Sequence, residues 1–379
     1  MESSSQSESV AVVGGGVIGL AVAWRAAQRG LRVTVLDAGD PPGAWRFAAG
    51  MLAPVTEAEH GEDALFELGL RAASGYAAFC EELSEAAGLD PGYRRAGTLV
   101  VARDRDEAEE LDRLAVLHRS LGLETERLLP SAARRVEPGL APTVRLALHV
   151  PGDHAVDPRA LVAALGEAAR LAGADLRTAS VAAVRTDGDR ATGVVLADGT
   201  DVPADHVVLA AGAWTGRLEG IPESAQVPVR PVKGQIMRLR DPRGPGLVER
   251  TIRTREAYLV PRGEGTYILG ATVEERGWDT APTAGATMEL IRDLAEILPG
   301  VLELEVEELG AGLRPGTPDN LPVIGASALD GLVWATGHFR NGILLAAVTA
   351  DIVAELLTSG VAPAWASPAD PARFSGAVV

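Results

Sequence analysis

The stretch VAVVGGGVIGLAVAWRAAQRGLRVTVLDAG, Val10 to Gly39, constrains this chain more than any other. The apolar run VAVV predicts a buried strand, the helix formers of LAVAWRAAQR predict a helix stopped by Gly30, and the alternation of RVTVLD predicts a second strand. Between the first strand and the helix, Gly14, Gly16 and Gly19 satisfy G-x-G-x-x-G. In such a turn the first glycine permits the tight reversal, the second lets backbone approach a pyrophosphate, and the third packs helix on strand. Phosphates then lie on the helix N-terminus at Val17 and Ile18, where unpaired N–H groups and the helix dipole favour negative charge. Asp37 follows at about twenty residues, the spacing of an acid that binds ribose hydroxyls and disfavours NADP. This is a dinucleotide-binding βαβ unit, and taken alone it serves NAD and FAD equally.

The chain has 379 residues, 47% of them hydrophobic, more than one domain of ordinary size needs, and two domains are predicted. A formal charge of −17 repels phosphate backbones and anionic membranes, so nucleic acid and membrane are not expected partners. Cys80 is the only cysteine, which excludes an internal disulfide and a thiolate metal cluster. With no HExxH, no paired histidines at metal spacing and no G-x-S-x-G elbow, no metal site and no serine nucleophile are expected. The polar start MESSSQSES and the lack of a long uninterrupted apolar run predict a soluble, cytoplasmic protein.

Helices are predicted from Leu65 to Ala87, ended by Gly88, and from Asp106 to Ser120, with GTLVVAR as a strand between them. DPRALVAALGEAARLAG repeats the helix grammar, with Asp157 as N-cap and Pro158 at the first helical position. Hairpins follow at the DGD and ADGT turns, a strand-rich zone runs from Val227 to Val273, and a helix lies near Thr287 to Leu298. LVWATGHFRNGILLAAVTADIVAELL then gives strand, glycine turn and long helix again. The predicted architecture is α/β: a Rossmann-like nucleotide domain of discontinuous segments (1–80, 145–220 and 310–379), with an α+β, mixed-sheet substrate domain from 81–144 and 221–309. The Pro- and Ala-rich tail from Val361 is expected to pack loosely.

Three further stretches separate the two nucleotides. RFAAGMLAP (Arg46 to Pro54), HVVLAAGAWT (His206 to Thr215) and GHFRNGILLA (Gly337 to Ala346) resemble the FAD-binding blocks of the D-amino acid oxidase superfamily, in its glycine oxidase branch used in thiamine biosynthesis. The resemblance runs in order from about Val10 to Leu357. Ala48, Ala49 and Gly50 are small enough to let backbone press against a flat ring, and the resemblance lays them, with Met51 and Leu52, along the isoalloxazine. Ala211 and Gly212, near Trp214, leave backbone open at a strand's carboxyl end, where α/β sheets bind ligands. In Gly337, His338, Arg340, Asn341, Gly342, Ile343 and Leu344 a strand feeds a glycine and then a helix. The resemblance aims that helix N-terminus at the flavin pyrimidine edge, where its dipole stabilises the charge formed on reduction.

The stretch GLRPGTPDNLPVIG matches the family's R-P-x-x-x-D-x-x-P-x-I-G block, and the resemblance gives Arg314 the grip on the substrate carboxylate through a bidentate fork. Tyr258, in REAYLVPRG, matches the tyrosine that helps hold that carboxylate. Arg340 is carried over as a site residue, and Met51, Val273 and His338 as pocket residues, with Val273 smaller than the methionine of a related type. PVKGQIMRL matches a connecting segment, so Lys233, the only lysine, is given a structural role.

What the resemblance implies is non-covalent FAD, with hydride transfer from the Cα of glycine, sarcosine or a small D-amino acid to flavin N5. The imine then gives a 2-oxo acid and ammonia or amine, dioxygen is reduced to hydrogen peroxide, and a homotetramer is expected. No protein base is required, because the flavin carries the hard step. A dehydrogenase with another acceptor, an NAD-dependent dehydrogenase and a non-catalytic FAD protein are the alternatives.

Overall fold

The computed structural model describes residues 7–59, 61–244 and 246–375. β1 (Ser9–Val13), α1 (Val17–Gln28) and β2 (Arg32–Asp37) form the opening unit as the glycine pattern requires. β1 lies between β2 and the strand His206–Leu209, parallel to both, with Val12 opposite Val35 on one side and Val208 on the other. The sheet extends through Asp175–Thr178 beyond β2 and through Leu332–Thr336 beyond His206–Leu209, all parallel. Val323–Ala326 closes the other edge antiparallel, giving six strands.

Each face of this sheet is covered, as a parallel sheet needs. On one face α1, Asp63–Ala87, Pro158–Leu171 and Gly342–Ser359 bury a shared core around Trp24, Tyr76, Leu161 and Leu345. On the other, the three-stranded sheet of Val181–Asp187, Arg190–Leu196 and Asp201–Pro203 packs Val184 and Val194 against Leu36, Leu209 and Trp334. Helix Gly342–Ser359 is long and apolar enough by composition to cross a membrane, with a mean hydropathy of 1.7. It instead sits in the core, with Leu345, Ala346, Ile352 and Val353 fully enclosed.

A second sheet of eight strands runs in the order Glu305–Gly316, Arg230–Arg240, Thr266–Gly270, Tyr258–Gly263, Thr251–Arg253, Thr98–Ala102, Leu146–Val150, Glu126–Leu128. Its neighbours are antiparallel except for Thr251–Arg253 against Thr98–Ala102. Helix Ala284–Ala295, capped by Thr283, buries Leu290 and Leu294 against one face.

These pairings move the expected domain limits. Leu146–Val150 lies in the stretch assigned to the nucleotide domain, yet its backbone completes the second sheet against Thr98–Ala102. Glu305–Gly316 crosses the expected limit at 310 as one strand paired along Arg230–Arg240. Helix Asp63–Ala87 continues unbroken past residue 80, because Leu83 and Ala87 belong to the nucleotide-side core. The tail is also tighter than expected: Ala366 and Ala369 are buried, and Arg373 pairs with Asp319 at 2.8 Å.

Candidate functional site

A single cleft of about 1600 Å³ runs from the start of α1 to the inner strands of the second sheet. Small-molecule sites usually occupy about 300–1,000 Å³, so this one has room for a dinucleotide and a substrate together.

At the α1 end, Gly14 has φ +106°, a conformation side-chain-bearing residues rarely adopt, and a Cβ there would stand 2.5 Å from the Ala210 carbonyl oxygen. A Cβ on Gly19 would stand 1.9 Å from the Gly14 carbonyl oxygen, so this glycine supports the turn from behind. Gly16 is the extended N-cap of α1 and no side chain caps it. The first N–H groups of the helix are thereby left to a ligand. Gly15, not singled out by the motif, donates its N–H to Asp37 Oδ2 at 2.5 Å, and Gly39 N–H donates to Oδ1 at 2.7 Å. Asp37 is thus oriented at the cleft wall by the turn it serves.

The middle of the cleft is lined by Ala48, Ala49, Gly50 and Met51 on one side and Ala211, Gly212 and Trp214 on the other. A Cβ on Gly50 would stand 2.1 Å from the Val156 carbonyl oxygen, so the close approach of these two segments demands glycine. Thr336 Oγ1 donates to the Gly212 carbonyl at 3.1 Å. Trp214 packs on Trp278, whose far neighbour is the Arg217 guanidinium, 3.8 Å from the Trp278 ring centre.

At the sheet end, strand Glu305–Gly316 carries Arg314 opposite Val232. Its Nη1 donates to the Thr272 carbonyl at 3.0 Å and the Lys233 carbonyl at 3.4 Å, which leaves the rest of the fork to the cleft. Tyr258 starts strand Tyr258–Gly263; burial pushes its hydroxyl up while the Arg314 charge pulls it down, so at neutral pH it is an uncharged donor. Met51 and Tyr258 pack against one small apolar cluster that includes Ala49, Ile236 and Val260. Tyr258 and Met51 are therefore brought together, and Arg314 lines the same cleft close enough for its charge to act on Tyr258.

The other expected residues separate from these three. His338 borders the cleft, but only 2% of it is exposed and Nε2 sits 2.9 Å from Thr349 Oγ1. Burial holds the imidazole neutral down to about 3, and its Nε2 is taken up by the helix Gly342–Ser359 through Thr349. Arg340 also lines the cleft, yet its guanidinium is held by Glu62 at 2.5 Å and Glu59 at 3.3 Å. Its charge is already partnered, unlike that of Arg314. Val273 stands at the mouth, 68% exposed. Leu52, Gly337, Asn341 and Leu344 lie behind the wall, while Val17, Ile18, Gly342 and Ile343 form part of it.

Arg253 and Arg262 enter without having been singled out, and Lys233 takes the structural role expected of it. Arg253 pairs with Glu57 at 3.0 Å beside the cleft. Lys233 is fully buried and ties strand Arg230–Arg240 to the following loop through Asp279 at 2.8 Å and the Ala281 carbonyl at 2.6 Å. Arg262 reaches the carbonyls of Ala49 and Val156. No local pattern marks these side chains, because each finds its partner far along the chain.

The family model described as FAD dependent oxidoreductase matches residues 9–356. Glycine oxidase of Geobacillus kaustophilus is 36% identical over 354 residues, covering 92% of each chain. The crystal structure of that organism's glycine oxidase superposes with a TM-score of 0.88, covering 97% of this chain and 99% of its own. The bifunctional protein ThiO/ThiG of Trichormus variabilis is 34% identical over 352 residues, which is 92% of this chain and 52% of that protein. The chain thus spans about half the length of these bifunctional relatives. Iminodiacetate oxidase of Chelativorans sp. BNC1 superposes with a TM-score of 0.87 at 28% identity, covering 96% of this chain and 98% of its own.

Proposed function

Because this chain belongs to the FAD dependent oxidoreductase family, we propose that it oxidises the amine of a small amino acid, glycine first. The observation that carries this reading is one cleft lined by Arg314 and Tyr258, by Ala48 to Met51 and by the uncapped start of α1. The residues present fit FAD: the α1 N–H groups would hold the pyrophosphate, Asp37 would face the ribose, and the small side chains of Ala48, Ala49, Ala211 and Gly212 leave backbone open to a flat ring. FAD, bound non-covalently, supplies the acceptor for the hydride leaving Cα.

The protein's own part is placement. The Arg314 fork receives the substrate carboxylate, since a fixed guanidinium gives two parallel charge-assisted hydrogen bonds. The Tyr258 hydroxyl, kept neutral by its surroundings, donates a third. Met51 and its neighbours exclude water beside Cα, and holding the reacting atoms in one geometry is worth several powers of ten in rate. The imine product hydrolyses to glyoxylate and ammonia, and dioxygen takes the electrons to give hydrogen peroxide. Sarcosine and small D-amino acids are further substrates, admitted past the short side chain of Val273. Likeness to the bifunctional ThiO/ThiG relatives supports a role in thiamine synthesis.

The test is an anaerobic titration of the FAD-loaded protein with glycine, sarcosine and D-proline, followed by admission of air. Bleaching of the flavin band, then recovery with peroxide formation, is expected with glycine. A flavin band that none of the three bleaches would refute the proposal, and bleaching without recovery in air would refute oxygen as acceptor.

A further inference from the structure

Arg262 ends a row of alternate residues on strand Tyr258–Gly263 that begins with the Tyr258 of the substrate site. Tyr258 and Val260 share one face by strand alternation, and Arg262, at a register shift between Pro261 and Gly263, is brought to the same side, where its guanidinium reaches the Ala49 carbonyl. Val260 packs with Ala49 and Met51. Arg262 goes further and bonds the main chain itself: Nη2 donates to the Ala49 carbonyl and Nη1 to the Val156 carbonyl at 2.9 Å.

Those two acceptors flank one contact. Val156 N–H donates to the Gly50 carbonyl at 2.9 Å, where the chains approach so closely that only glycine fits. The guanidinium thus closes a ring around the Gly50–Val156 junction, directly behind the wall formed by Ala48, Ala49 and Gly50. No carboxylate is in ion-pair contact with it among the described residues, and desolvation pulls it down to about 10, opposed by the charge of Asp157 and reinforced by Arg238 and Arg94. A buried cation whose hydrogen bonds go to main-chain carbonyls rather than to a carboxylate stays charged only where those bonds hold it, which ties its position to that of the carbonyls. Arg159 does the same service nearby, donating Nε and Nη2 to the Arg46 carbonyl at 3.2 and 3.1 Å, but it also has Glu308 as counter-ion.

We propose that Arg262 is a positioning residue that clamps the cofactor-facing turn Ala48–Gly50 onto the substrate sheet, so that one strand face sets the seat of FAD and, through Tyr258, the seat of the substrate. The clamp rests on the assignment of FAD to the cleft. Its consequence is that FAD affinity and the flavin environment depend on a side chain that touches neither substrate nor reacting atoms.

The experiment compares apoprotein of the wild type, Arg262→Met and Arg262→Lys, titrated with FAD and followed by flavin fluorescence and visible absorption. Hydrogen bonds to charged groups are individually strong, so Arg262→Met is expected to weaken FAD binding roughly ten- to a hundredfold and to shift the flavin absorption maxima. Lysine retains the charge but lacks the fork, and Arg262→Lys is expected to fall between, about three- to tenfold weaker than wild type. At saturating FAD the kcat for glycine falls while KM stays within threefold, because Arg314 and Tyr258 are untouched. FAD binding within threefold of wild type and unchanged absorption maxima in Arg262→Met would overturn the clamp. Should that variant not fold, Arg262→Lys decides, with wild-type FAD affinity overturning it and a several-fold loss supporting it. Wild-type protein that takes up no FAD would overturn the cofactor assignment, and the clamp with it.

Discussion

Replacing Gly234 by alanine tests the carboxylate anchor without altering it. Gly234 lies within strand Arg230–Arg240 opposite Gly312, and a Cβ there would stand 2.2 Å from Arg314 Nη1 and 2.3 Å from both Cζ and Nη2. Ordinary contact starts near 3.4 Å, so the guanidinium must retreat by about an ångström or more. The intruded atoms are the end of a flexible side chain, so the arginine moves and the sheet does not. Gly234 is not among the glycines with positive φ, and alanine at such a site commonly stabilises by about 0.4–1 kcal/mol through the unfolded state. A misplacement of about 1 Å in a positioning group costs about 10²-fold in rate, or about 2.7 kcal/mol of transition-state stabilisation. Gly234→Ala should therefore hold FAD and melt no lower than wild type, while kcat/KM for glycine, followed by oxygen uptake, falls about a hundredfold. A kcat/KM within threefold of wild type, in a folded and flavin-loaded variant, would refute both the anchor and the geometry that defines it.

Arg314→Ala should raise the glycine KM sharply and leave the protein yellow, and unchanged glycine kinetics would remove Arg314 from the substrate site. Val273→Met should lower the rate on sarcosine relative to glycine, because the longer side chain covers the cleft mouth; an unaltered ratio would take Val273 out of the access path. His338 titrates near 3 when folded and near 6.5 when unfolded, so the unfolded chain binds the extra proton in between and stability falls as pH drops from about 6.5. Across that window this group gives a slope of about 1.4 kcal/mol per pH unit, and above it, where neither state is protonated, the slope vanishes and none of the stability has been lost. Urea unfolding of His338→Gln between pH 7 and 4.5 should have the shallower pH dependence, and superimposable slopes would disprove the assignment.

The parts of the fold that could be read from sequence are those whose cause is local. Gly14 was legible because its turn needs a positive φ, Asp157 with Pro158 because an N-cap and a first-turn proline act within one helical turn, and Gly88 because a left-handed cap ends the helix beside it. The expected limits place residues 145–150 with the nucleotide domain, whereas strand Leu146–Val150 pairs with Thr98–Ala102 in the second sheet, a tertiary pairing that no periodicity encodes. The arginines make the same point in the site. Arg314, Arg340, Arg253 and Arg262 are chemically identical, and what separates them is who stands opposite. Arg340 meets Glu62, Arg253 meets Glu57, Arg262 commits both Nη atoms to carbonyls, and Arg314 gives carbonyls only Nη1 and lies across Gly234, which holds space open for the rest of its fork. An arginine already matched to a carboxylate has little left to offer a substrate carboxylate, while one matched to carbonyls keeps its charge and can still stiffen backbone. The distinction between binding residue, structural ion pair and main-chain clamp therefore resides in what each guanidinium meets, and it becomes visible only when residues far apart in the chain, such as Ala49 and Arg262, are brought together.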